Sequence, residues 1–167
     1  MLKSISILLV NLFICCLLHA QQADSTLKKS TVKTLSDKQY TALLNGDDLY
    51  NMAQPAELNH FPMPDKVIKF KKELDLSPVQ ITKISVIAAE LHRKRVEMGT
   101  FIINNEKTLD NLFRKQRLNN GDVIFYTTRS GLYYGELRNA ILQACLTTGD
   151  LLAPQQIKKL ETLQNRN

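Results

Sequence analysis

The chain has 167 residues, with 22 Lys and Arg against 16 Asp and Glu for a net charge of +6, no tryptophan, and three cysteines at positions 15, 16 and 145. That length suits one domain and makes a second core unlooked for. Two of the three cysteines fall in an N-terminal apolar run, which excludes a fold stapled by disulfides.

Lys3 precedes an apolar stretch from Ile5 to Leu18 that closes on Leu18-His19-Ala20 before the polar Gln21-Gln22. This is the layout of a secretory signal peptide over residues 1–20. The stretch is shorter than the roughly 20 apolar residues of a membrane span. The expected product is therefore exported, with no stable membrane insertion after cleavage. Leu18 is large for its position before the cut, which leaves cleavage after Ala23 as an alternative. Ile14 and Cys15 stand where a lipoprotein signal wants Gly or Ala, which argues against a lipid on Cys15 or Cys16. Loss of Lys3 with the signal lowers the charge from +6 to +5, and Cys145 becomes the single thiol. With export and interspersed acidic residues, nucleic acid is not an expected partner.

Residues 21–34 are mostly Ser, Thr, Lys and Gln, too polar to bury anything, and read as a flexible leader before a single domain of residues 35–167. Ser36 as N-cap, Gln39 three residues on, the apolar Tyr40, Leu43 and Leu44, and the stop at Asn45-Gly46 predict a short helix. A connector follows that includes Ala56 to Pro64, where two prolines press the preceding residues into extended backbone, and Phe61 and Met63 are expected to pin it to the helices beyond. Asp65 is expected to cap a brief helix, Lys66 to Leu74, that buries Val67, Ile68 and Phe70.

Ser77-Pro78-Val79-Gln80 then supplies a capping hydroxyl, a proline at the first helical position and a glutamine able to reach back to the cap. Ile81, Ile84, Ala88, Leu91, Met98, Ile102, Leu109, Leu112 and Phe113 recur every three or four residues, interrupted by Arg95 and Asn105. This predicts a helix from Pro78 to Gln116, roughly 58 Å long, packed at a shallow angle on a neighbour. Leu118-Asn119-Asn120-Gly121 supplies a turn, and Val123, Thr127, Ser130, Tyr134, Leu137, Ile141, Ala144 and Thr148 continue the spacing on a second helix that should return antiparallel and end at Gly149. Ala153-Pro154-Gln155-Gln156 opens a terminal helix carrying Ile157, Leu160 and Leu163. The expected fold class is all-α: a long antiparallel helical hairpin with short flanking helices. A hairpin has much surface for its volume. Phe101, Phe125, Tyr126, Tyr133 and Tyr134 exceed the needs of one seam, so either a homodimer or the short helices should cover them.

The basic clusters Lys69 to Lys72, His92 to Arg95 and Arg114 to Arg117 read as solvated helix faces, or alternatively as attractors of acidic surfaces such as lipid headgroups or unfolded chains. Catalysis finds no motif: there is no Gly-rich phosphate loop, nucleophile elbow or two-histidine zinc motif, and Asp47-Asp48 reads as loop solubility. A binding protein, not an enzyme, is expected.

Leu76-Ser77-Pro78-Val79-Gln80 and Leu152-Ala153-Pro154-Gln155-Gln156 resemble the paired LTxxQ motifs of the Spy/CpxP family of periplasmic stress proteins, and Leu35-Ser36-Asp37-Lys38-Gln39 is a looser third copy. The motif residues are Leu76, Ser77, Pro78 and Gln80, then Leu152, Pro154 and Gln156; Ala153 departs from the motif and has no hydroxyl with which to cap. The segment from Ala56 to Pro64 and Gly135-Glu136-Leu137-Arg138 are also similar to segments of related periplasmic heavy-metal sensors. The resemblance implies a cradle-shaped dimer in the periplasm. It further implies one of three activities: a stress chaperone that shields unfolded envelope proteins without ATP, a sensor or resistance protein binding Zn, Cu, Ni or Co, or an adaptor that inhibits a sensor kinase through its periplasmic domain.

The sensing relatives carry a His and a second His or Met four residues on, which correspond here to Ile141 and Cys145, so the metal pair is lost. Cys145 on an apolar seam reads as a small buried hydrophobe. His60 and His92 are isolated from other good donors, and with Cys145 they are the weak metal candidates; no cofactor is expected, with a divalent transition metal the open alternative. Client binding asks for apolar surface beside positive charge. Ile87 and Leu91 beside Lys83, Arg93, Lys94 and Arg95 are the candidate client surface, although a core stripe with a solvated flank accounts for the same pattern. The chaperone-like reading is preferred because it survives loss of the metal pair.

Overall fold

A computed structural model describes residues 26–165. The signal-peptide reading of residues 1–20 and the first part of the leader lie outside the described residues. Among them the chain is all helical, without a strand. The helices are α1 (Asp37–Asn45), α2 (Gln54–Glu57), α3 (Pro64–Lys69), α4 (Pro78–Arg114), α5 (Asn120–Gly149) and α6 (Pro154–Gln164).

Local chemistry explains where most of them begin. Ser36 and Gln39 form a reciprocal capping box on α1, which stops at Gly46 in the left-handed conformation (φ 71°) that glycine adopts without penalty. Ser77 and Gln80 repeat the box on α4, with Pro78 in its first turn. At 37 residues α4 is about 56 Å long. The 30-residue α5 is capped by Asn119 and Asp122, so Asn120 and Gly121 belong to its first turn and not to the connector.

Two apolar clusters lie along α4. The larger joins Leu91, Met98, Ile102 and Ile103 to Leu137, Ile141, Ala144 and Cys145 of α5, with Leu43 of α1 and Met63 of the connector. The smaller joins Ile84 to Val67, Leu74, Leu76, Leu152 and Leu160. Polar contacts hold α4 at separated points: Gln80 Nε2 donates to the Leu151 carbonyl just after α5 (2.8 Å), and Asn105 Nδ2 to the Tyr126 carbonyl of α5 (3.0 Å). Asn105, which interrupts the apolar repeat, is therefore buried with a partner. Helix α1 crosses α4 at Gly99, where a Cβ would lie 2.0 Å from the Leu43 carbonyl oxygen. Only glycine admits so close an approach of two backbones. No residue between 106 and 136 is buried, so the distal parts of α4 and α5 extend beyond both clusters.

Several expectations are corrected. Residues 26–34 are not a free leader: Val32 is 1% exposed within the larger cluster. Its polar neighbours find partners on α1, with Lys28 N–H donating to Thr41 Oγ1 (2.8 Å) and Ser30 N–H to Asp37 Oδ1 (2.7 Å). Helix α3 starts at Pro64 and ends at Lys69, and Asp65 does not cap it, because Met63 takes the extended N-cap position and Pro64 the first turn. Residues 70–76 then fold as consecutive turns through Asp75 (φ 51°), which brings Leu74 and Leu76 into one cluster. The connector contains a single helical turn, α2, started by Pro55 near its N-terminus, where the missing N–H costs nothing. Helix α4 stops at Arg114, with Gln116 in the left-handed region (φ 52°).

Candidate functional site

The motif residues converge at one end of the long helices. Each glutamine uses its carbonyl oxygen on its own helix start: Ser77 N–H donates to Gln80 Oε1 (2.9 Å) and Ala153 N–H to Gln156 Oε1 (2.9 Å). Each amide nitrogen then reaches a segment distant in the chain. Gln80 Nε2 donates to Leu151 O (2.8 Å) and Gln156 Oε1 (3.0 Å), and Gln156 Nε2 donates to Leu74 O (3.2 Å). Leu76 and Leu152 are buried beneath them in the smaller cluster. The two motifs thus form a reciprocal clasp that ties the start of α4 to the start of α6. Ala153 has no side-chain cap, so α6 keeps only the half of the box that Gln156 provides.

Further along, α4 and α5 flank an open groove of about 430 Å³ lined by Val86, Ile87, Leu91, Ala140, Ala144 and Thr147, with Glu90, Arg93, Lys94 and Gln143 at its edges. Ile87 and Leu91 stand one helical turn apart on α4, as Ala140 and Ala144 do on α5. The small alanines leave the space. Arg93 pairs with Glu90 (3.0 Å) and Glu97 (3.5 Å), and Lys94 lies 3.7 Å from Glu97. Exposed pairs of this kind are weak and exchange partners readily. The arrangement offers an apolar trough with a mixed-charge rim and no reactive centre.

Of the expected client-binding residues, the groove gathers Ile87, Leu91, Arg93 and Lys94. Two are corrected. Leu91 is buried and forms part of the groove floor instead of a free surface, because it also packs into the larger cluster. Arg95 faces away from the groove, with its side chain 9% exposed, its Nη1 3.3 Å from Asp65 Oδ2 and its Nη2 3.6 Å from Met63 Sδ. A guanidinium held this way pins the connector onto α4. Lys83 is exposed one turn before Ile87, outside the lining.

The metal candidates lie apart. His60, at φ 71°, is exposed and pairs through Nδ1 with Glu161 of α6. His92 is exposed on α4. Cys145 is fully buried, its Sγ 3.4 Å from Met63 Sδ. Burial pushes its thiol up to about 11, helped by the Glu57 carboxylate and opposed by Arg95. Among the described residues no three His, Cys, Asp or Glu side chains are grouped to hold a metal ion.

A second groove, of about 250 Å³, lies where the distal part of α4 meets α5, lined by Phe101, Asn104, Asn105, Thr108, Phe125, Tyr126, Arg129 and Tyr133. The Arg129 guanidinium sits 5.0 Å from the Phe125 ring centre and 5.4 Å from that of Tyr133, and donates to the Tyr133 hydroxyl. Tyr133 also packs on Phe101 at 5.4 Å between centroids. Nearby, Tyr134 stacks edge-on against Tyr50, and its phenol is pushed up by burial, by the Tyr50 hydroxyl and by Glu106. The excess aromatics of the sequence are thus clustered, with Phe101 and Phe125 still exposed.

Compared with protein-family models, with curated proteins and with solved structures, the chain matches none.

Proposed function

We propose that the chain is a chaperone-like, non-catalytic envelope stress protein of the Spy/CpxP kind, exported to the periplasm, that holds unfolded or misfolded proteins without ATP. The observation that carries this reading is the groove between α4 and α5, apolar along Val86, Ile87, Leu91, Ala140 and Ala144 and edged by Arg93 and Lys94. An open trough binds an extended apolar segment loosely, and weak rim charges let it go. The clasp of Gln80 and Gln156 supports the family reading, since it gives both motif glutamines a shared task. The paired contacts Gln80–Leu151 and Asn105–Tyr126 support an antiparallel hairpin, because the residue number rises on α4 as it falls beyond it. The exposed aromatics of the second groove support a homodimer that would cover them.

A heavy-metal sensor taking Zn, Cu, Ni or Co is the second reading. It rests on the adjacent Met63 and Cys145 sulfurs, a soft donor pair. Arg95 beside Met63 and the raised thiol both oppose a cation there. An adaptor for a sensor kinase would use the same groove on one folded partner, with salt-sensitive binding.

The test is suppression of client aggregation in a dilution series without ATP, with and without Zn, Cu or Ni, comparing the native chain with Val86→Asp. Val86 is 59% exposed, so the substitution leaves the fold intact while placing a charge in the trough. Metal-independent suppression that weakens several-fold in the variant is expected. Stoichiometric metal uptake without suppression would overturn the reading.

A further inference from the structure

We propose that the distal end of α4 and α5 docks onto anionic lipid headgroups. The last residue of α4 and the turn after it carry Arg114, Lys115 and Arg117, all exposed, and none of the three lies within ion-pair distance of a carboxylate among the described residues. The cluster around Arg93 differs in this respect, since its cations already share Glu90 and Glu97. Two carboxylates lie on the same end. Asp122 is occupied in accepting the Asn119 N–H (3.1 Å), and Asp110 sits a turn back on α4.

Beside this charge the chain presents unprotected apolar groups: Phe113 is 58% exposed and Ile124 66%. The backbone holds Phe113 to Arg117 tightly, with Lys115 N–H donating to Asn111 O (3.1 Å) and Arg117 N–H to Leu112 O (3.2 Å). Basic residues at a helix C-terminus favour the helix itself, but that leaves Phe113 and Ile124 without explanation. The two groups together fit an interface where cations meet phosphate and apolar side chains enter the acyl boundary. An acidic peptide is the other occupant the charge admits. It fits less well, because protruding side chains such as Phe113 and Ile124 bury themselves in a plane of lipid more readily than against a chain that needs a concave seat. The proposal stands independently of the chaperone reading.

The chain contains no tryptophan, so Phe113→Trp or Ile124→Trp supplies a single reporter. Val79→Trp is the control, because Val79 is also exposed but lies at the start of α4, at the other end. The full chain is mixed with phosphatidylcholine vesicles, with the same vesicles containing phosphatidylglycerol, and with poly-glutamate. A blue shift of the reporter at position 113 or 124, absent at position 79 and confined to phosphatidylglycerol vesicles, is expected. Replacing Arg114, Lys115 and Arg117 together by Gln should weaken binding roughly ten- to a hundredfold, as should raising salt until the Debye length falls to about 3 Å. An equal shift at position 79, no change on removing the three charges, or a response to poly-glutamate in place of vesicles would overturn the proposal.

Discussion

Replacing Gln156 by Met tests whether the two motifs act as a clasp. Methionine keeps the length and volume of the side chain but removes its three shorter hydrogen bonds, to Ala153 N–H, to Leu74 O and to Gln80 Nε2, along with a longer one of 3.4 Å to Gln80 Oε1. At about 0.5–1.5 kcal/mol net for each, the loss is about 2–4 kcal/mol. That is a large share of the roughly 5–15 kcal/mol that holds a domain folded, and corresponds to a fall in Tm of about 5–15 °C. Gln80→Met should cost a similar amount, since it loses bonds to Ser77 N–H, Leu151 O and Gln156. The double variant should cost about 1 kcal/mol less than the sum of the two, because the Gln80–Gln156 bond is shared. Gln155→Met, at an exposed neighbour, should stay within about 0.5 kcal/mol of the native chain. Urea unfolding followed by circular dichroism measures all four. Strict additivity of the two glutamine changes, or a Gln156 variant as stable as the Gln155 control, would refute the clasp.

Gly99→Ala and Gly131→Ala should move stability in opposite directions: the first drives a methyl to 2.0 Å from the Leu43 carbonyl and should cost about 3 kcal/mol, while the second meets nothing within 4 Å and should gain up to about 1 kcal/mol, both read from urea midpoints. The Cys145 thiol, raised from 9.0 to about 11, should resist a thiol reagent at neutral pH in the native state and react on unfolding. Because the folded state holds this proton more tightly, its contribution to stability should be complete below pH about 9 and decline as pH rises towards 11, a slope that Cys145→Ala removes. Amide hydrogens between residues 106 and 132, where no side chain packs into either cluster, should exchange faster than those of Ile84 to Ile103 and of Leu137 to Thr148, as mass spectrometry would show; uniform protection along both helices would mean that something covers the distal part.

The helix starts were legible because their signals are local. Ser36-Gln39 and Ser77-Gln80 are boxes closed within four residues, and both form as read. The box of Asn119 and Asp122 has the same logic, but Asn-Asn-Gly is also turn chemistry, so this helix start reads as a turn. What local reading missed is tertiary. Val32 stands between the polar Thr31 and Lys33, which hide it as core; it is buried beside Leu35 because Thr41 and Asp37, on the helix that follows, satisfy the backbone before it. The charge of Arg95 points to the surface, yet its side chain is buried against Met63 of the connector and reaches out to Asp65 at the start of α3. Neither partner is visible from the helix on which Arg95 sits.

The groove was half legible for a geometric reason. Successive residues on a helix point about 100° apart, so Arg93, Lys94 and Arg95 share a segment but not a face, and adjacency in sequence overstated the cationic surface. Ile87, Leu91 and Lys94, spaced by four and three, do share a face, and these three line the groove. Its other wall, Ala140, Gln143, Ala144 and Thr147, carries the same spacing on α5, but small side chains leave a weak hydrophobic signal and read as filler in a core seam. Their smallness is what makes the trough: a leucine at position 140 or 144 would fill the space between the helices. An open groove is thus encoded by the size of the residues on one helix and by the periodicity of those on the other, and only their packing against each other brings the two patterns together.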